Sequence, residues 1–99
     1  MADEKKEIPD NVIFVGGKEF MNYVMAVTMQ FNIKNSSAVI IKSRGKFTAK
    51  AIDIAEVTAK RFLDNKVKIS DVKIDSESFK NQEGREVRVS TIEIVLTKV

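Results

Sequence analysis

Four cationic side chains, Lys42, Arg44, Lys46 and Lys50, fall within nine residues that contain no acid, and Gly45 sits among them. The stretch follows a β-branched run, Val39-Ile40-Ile41, and precedes residues with helical apolar spacing. A cationic loop that opens a helix joins side-chain charge to free backbone N–H groups and to the positive end of the helix dipole, which suits phosphate. Phosphate held by several such groups points to nucleic acid.

Composition narrows the alternatives. The chain has 99 residues, 43% of them hydrophobic, which suits one domain that buries its own core and is helped by self-association. It has no cysteine and no histidine, so disulfides, thiol nucleophiles and Cys-ligated zinc are excluded, and the commonest general base is missing. No apolar run approaches the roughly 20 residues of a membrane span, and the charged N-terminus lacks the apolar core of a signal peptide. The expectation is a soluble, cytoplasmic protein that needs no cofactor. Net charge is +3, but residues 1–11 carry −2 and the remainder therefore +5. That balance favours phosphate contacts of moderate, salt-sensitive strength.

The elements that must position the cations can be read in order. Residues 1–10 are polar and charged and form an expected mobile tail, leaving 11–99 as the domain. Val12 to Val15 is a continuous apolar run closed by Gly16-Gly17, the pattern of a strand buried on both faces. From Lys18 to about Phe31, Phe20, Tyr23, Val24, Val27 and Phe31 follow helical spacing, which assigns Tyr23 to the core. Met21, Met25 and Met29 form a second stripe on that helix, for which core packing is the commoner fate. Ala38 to Lys42 is the second strand, and Ile52, Ala55, Ala59, Phe62 and Leu63 mark the second helix.

The last third reads as a long hairpin with its turn at Asn81-Gln82-Glu83-Gly84. Apolar phase changes along both arms, from Val67 and Ile69 to Val72 and Ile74, and from Val87 and Val89 to Ile92, Ile94 and Leu96. Each arm therefore requires a bulge or a stretch where the facing rule is relaxed. Large apolar groups are sparse from Asp75 to Ser90, so the outer half of the hairpin is expected to project into solvent. The order βαβαββ gives an α+β fold, a mixed four-stranded sheet with two helices.

Several ordered blocks carry a family resemblance: Asn11-Val12-Ile13-Phe14-Val15-Gly16, Met21-Asn22-Tyr23-Val24, Ile41-Lys42-Ser43-Arg44-Gly45-Lys46, Lys50-Ala51-Ile52-Asp53, Arg61-Phe62-Leu63 and Gly84-Arg85-Glu86-Val87-Arg88 continuing to Ile94. Over about Asn11 to Lys98 the chain resembles the Alba (Sac10b) chromatin proteins of archaea. The resemblance implies a non-enzymatic homodimer that binds double-stranded DNA, and often RNA, in the archaeal nucleoid. It implies a central basic surface of Lys18, Asn22, Lys42, Arg44, Gly45 and Lys46, with Arg85 and Arg88 on arms that extend along the minor groove. It implies dimer–dimer contacts at Phe62 and Leu63. The βαβαββ layout is also similar to the C-terminal domain of translation initiation factor 3.

The chain departs from the family at Gly17-Lys18-Glu19, where adjacent lysines are common. Only the second lysine is kept and a carboxylate follows it, so control by acetylation at Lys18 is in question and weaker or more sequence-selective binding is expected. Other readings remain open. Phe62 suits a buried helix end as well as an exposed patch, and Arg85 and Arg88 suit cross-strand pairing with Glu83, Glu86 or Glu93. Asp53 and Glu56 have the spacing of a Mg²⁺-binding carboxylate pair, and equally that of the helix ion pairs Lys50–Asp53 and Glu56–Lys60. RNA binding, including a role with ribonuclease P, and pure protein assembly are the remaining alternatives.

Overall fold

The computed structural model describes residues 9–99, so all of the expected tail except Pro9 and Asp10 lies outside the described residues. Four strands, β1 (Val12–Val15), β2 (Ala38–Arg44), β3 (Val67–Lys80) and β4 (Glu86–Lys98), and two helices, α1 (Phe20–Asn32) and α2 (Thr48–Val57), follow the order βαβαββ. A 3-10 turn, Gly45–Phe47, leads into α2, and a wide π-type turn, Thr58–Phe62, prolongs it. The sheet order is β1-β2-β4-β3, with β1 parallel to β2 and β4 antiparallel to both of its neighbours.

This order explains where the core sits. Strands β1, β2 and β3 run the same way, and the connections through α1 and α2 both step toward the β3 edge. Right-handed crossovers taken in one direction put both helices on the same face. Val39, Ile41 and Ser43 of β2 and Ile92, Ile94 and Leu96 of β4 are accordingly buried on alternate positions against Tyr23, Val24, Val27 and Phe31 of α1 and Ala51, Ile54 and Ala55 of α2. The opposite face of the sheet is open.

The open face corrects the reading of β1 as doubly buried. β1 is an edge strand covered on one side, and Phe14 is 53% exposed. The methionine stripe is corrected too: Met21, Met25 and Met29 all lie on the solvent side of α1, because Tyr23, Val24, Val27 and Phe31 fill the space against the sheet. On α2 and the turn that prolongs it the inward stripe is Ala51, Ile54, Ala55, Thr58 and Ala59, and Ile52 faces out.

The hairpin meets its phase problem in two different ways. On β3 the register slips between Ile69 and Asp71, so Ser70 is the extra residue of a bulge, and Val67, Ile69, Val72 and Ile74 all share the face of Lys98, Leu96, Ile94 and Ile92. β4 carries no bulge. Val87 and Val89 instead use the open face, where Val87 stands opposite Phe79. Beyond Val67 every residue of β3 is exposed, and the Cα radius of gyration of 15.0 Å exceeds the roughly 13 Å of a compact chain this long, as a projecting arm requires. The tip is held by Asn81, whose Oδ1 accepts N–H bonds from Glu83 (2.9 Å) and Arg85 (3.0 Å), while Gly84 supplies the positive φ of 82° that the turn needs.

Candidate nucleic-acid interface

β2 continues two residues beyond Lys42, and this places the cations. Ile41 and Ser43 point inward while Lys42 and Arg44 alternate onto the open face at the end where β1 stops. Gly45, at φ 66°, then turns the chain into the 3-10 turn that carries Lys46. The expected loop of free N–H groups is thereby reduced: Lys42 and Arg44 are strand residues, and the Thr48 N–H already bonds to the Gly45 carbonyl.

A hollow of about 310 Å³ at this end is lined by Phe14, Lys42, Arg44, Glu77, Thr91 and Glu93 among others. The Lys42 ammonium lies 5.7 Å from the centre of the Phe14 ring and 3.5 Å from Glu93. Arg44 is 3.6 Å from Glu77. Phe14 also lines a groove between β1 and α1 that includes Lys18, Asn22 and Met25, so Lys18 and Asn22 adjoin the same corner. Lys46 is exposed beside Phe47, its ammonium 5.5 Å from the ring centre. The structure therefore brings Lys18, Asn22, Lys42, Arg44, Gly45 and Lys46 to one end of the body.

Arg85 and Arg88 stand apart from this group. Arg44 pairs with Thr91, and Arg88 lies three residues farther along β4, about 10 Å toward the tip. Strand alternation puts Arg88 on the face opposite Lys42 and Arg44, opposite Ser78, so the arm presents charge on both sides. Among the described residues neither Arg85 nor Arg88 forms an ion pair, and Glu93 is taken by Lys42. At the far end of α2, Phe62 is 43% exposed while Leu63 is buried at 4%, so Phe62 alone meets solvent and Leu63 supports it from the core.

Two further side chains, Tyr23 and Lys50, shape the site from beneath the basic surface that the resemblance implies. Tyr23 is core, as its spacing indicates, but its hydroxyl also accepts the N–H groups of Gly16 (2.9 Å) and Lys18 (3.1 Å). Burial pushes its phenol up, yet the Gly16 and Lys18 N–H groups and the Lys50 and Lys18 charges outweigh this and hold it below the ordinary tyrosine value. Lys50 does not pair with Asp53. Its ammonium donates to the Gly16 carbonyl at 2.8 Å and to the Lys18 carbonyl. Glu56 does pair with Lys60, at 2.7 Å. No helix among the described residues is long and apolar enough to cross a membrane.

The Alba family profile matches residues 11–76, which includes β1, α1, the basic turn, α2 and most of β3. The chain belongs to the Alba family. It is 49% identical over 89 residues to a Picrophilus torridus protein named "DNA/RNA-binding protein Alba", covering 90% of this chain and 97% of that one. It is 44% identical to a Methanococcus maripaludis protein of the same name, covering 90% and 99% of the two chains. Alba from Thermoplasma volcanium superimposes with a TM-score of 0.80 at 44% identity, over 88% of this chain and 99% of that structure. The βαβαββ fold is thus the Alba fold.

Proposed function

We propose that this chain binds double-stranded DNA as a homodimer and acts, without catalysis, as an architectural protein of the archaeal nucleoid. The observation that carries the reading is the gathering of Lys18, Lys42, Arg44 and Lys46 at one end of the body, at the root of a projecting β3–β4 hairpin with Arg85 at its turn and Arg88 on β4. The body's cations meet the phosphate backbone, and the arm follows the minor groove, where a two-sided ribbon offers Arg88 to one wall and open-face groups to the other. The names of the relatives support nucleic acid as the ligand.

Self-association rests on exposed apolar groups. Ile69, Val72 and Ile74 lie on the helix-side face of edge strand β3; Ile69 borders a hollow with Ala59 and Lys60, and farther along Val72 is 51% and Ile74 75% exposed. A second copy covering that strip buries it and sets two arms side by side. Val72→Glu and Ile74→Glu are expected to give monomers in sedimentation; dimers that persist in both would place the contact elsewhere.

The test of the binding reading is fluorescence anisotropy with a labelled duplex over a salt series, comparing the parent with Arg44→Ala and Arg85→Ala. Binding that falls with salt and is weakened by both substitutions supports body and arm contacts, each lost phosphate flattening the log–log slope by about 0.9. Binding indifferent to both would overturn the reading. RNA is the second reading, favoured by the relatives' names, and matched DNA and RNA duplexes in competition decide between them.

A further inference from the structure

The loop joining β1 to α1 contains two adjacent glycines, Gly16 and Gly17, and would be poorly fixed by its own backbone. It is fixed by two side chains from elsewhere. The Tyr23 hydroxyl takes the N–H groups of Gly16 and Lys18, and the Lys50 ammonium takes the carbonyls of the same two residues. All four backbone groups of Gly16 and Lys18 are therefore occupied by one phenol and one ammonium. Lys50 lies 5.1 Å from the centre of the Tyr23 ring and 5.7 Å from that of Phe47, so the clamp also ties the loop to the turn that carries Lys46.

We infer that Lys50 is a positioning residue: it holds the backbone of Lys18 in place, so that the phosphate meets a cation already aimed, and makes no contact with nucleic acid itself. The inference rests on the proposed role of Lys18. An ammonium has three donors and no acceptor, and Lys50 spends donors on two carbonyls that lie 34 and 32 residues away in sequence. Preorganisation then appears as affinity, because less freedom is lost on binding. Lys50 is the clamp member that can be removed with least damage to the core, since Tyr23 is buried and Lys50 is half-buried.

The chain has one tyrosine and no tryptophan, so an alkaline absorbance titration reads Tyr23 alone. The experiment compares Lys50→Met, Lys18→Ala and the double variant by that titration, by amide exchange at Gly16 and Lys18, and by duplex anisotropy over a salt series. Lys50→Met is expected to raise the Tyr23 pKa, speed exchange at both amides and weaken binding several-fold. In the Lys18→Ala background the same substitution should change affinity by less than about twofold, with the salt slope unaltered. Lys50→Arg, which keeps the donors, should restore the parent's behaviour, and Lys50→Gln serves if Lys50→Met does not fold. Equal weakening in both backgrounds, with the slope flattened by about 0.9, would mean that Lys50 contacts phosphate directly and would overturn the inference. Unchanged exchange and titration would overturn the clamp itself. If Lys18→Ala binds like the parent while exchange and titration shift as expected, the interface reading fails and the positioning role with it, although the clamp stands.

Discussion

Arg44 and Glu77 meet across β4 at the root of the arm, guanidinium Nη2 to carboxylate Oε1 at 3.6 Å, with both side chains open to water. A carboxylate so placed competes with phosphate for the cation. Glu77→Gln is therefore expected to tighten duplex binding by about two- to fivefold, the range that an exposed ion pair of up to about 1 kcal/mol allows. Anisotropy at low and high salt checks it; the gain should shrink as salt rises, and weaker binding would show that Glu77 helps to aim Arg44.

Gly17 offers a gain-of-function test. A Cβ there meets nothing within 4 Å, so a side chain fits. Gly17→Lys is expected to fold as the parent does and to steepen the salt slope by about 0.9, one further phosphate. An unchanged slope would place residue 17 off the polymer's path.

Tyr23→Phe leaves the Gly16 and Lys18 N–H groups without their acceptor, at a cost of about 1–3 kcal/mol in denaturant unfolding. The sign of its pH dependence follows from the lowered phenol pKa. Ionisation favours the fold, so the parent's advantage over Tyr23→Phe grows beyond this hydrogen-bond cost as pH rises through the folded value toward the ordinary value near 10, and only that added part is lost as pH falls back through the folded value. A gap that narrows over that window would reverse the assignment.

Phe62 and Leu63 should separate cleanly. Leu63→Ala empties a buried position and is expected to cost about 2–5 kcal/mol, whereas Phe62→Ala should leave stability nearly unchanged and reduce cooperativity on long duplexes. A large stability loss in Phe62→Ala would make that ring structural.

Much of this architecture is legible in the residues themselves. The helical spacing of Val24, Val27 and Phe31 marks an apolar side of α1 that is indeed buried, and the order βαβαββ yields the mixed four-stranded sheet with two helices. The misses share a cause. The run Val12 to Val15 does not say that its strand lies at an edge, because sheet order is decided by pairing with residues far along the chain. Helix α1 is apolar on two sides, and only the space left by β1 and β2 decides that the methionines face out. Lys50 sits at ion-pair spacing from Asp53, and no local pattern reveals that a loop 32 to 34 residues away holds it instead. The alternation Ile41, Lys42, Ser43, Arg44 is the one overlooked signal, since period two already extends β2 through Arg44.

The bulge at Ser70 has an evolutionary corollary. Apolar phase is reset there, close to the body, and the strand beyond carries no buried side chain. Adding or deleting residues two at a time on each side of the tip keeps every remaining side chain on its own face and changes reach by about 7 Å per step. Reach along a nucleic acid is thus a dimension of this molecule that can drift while the folding of its body is left untouched.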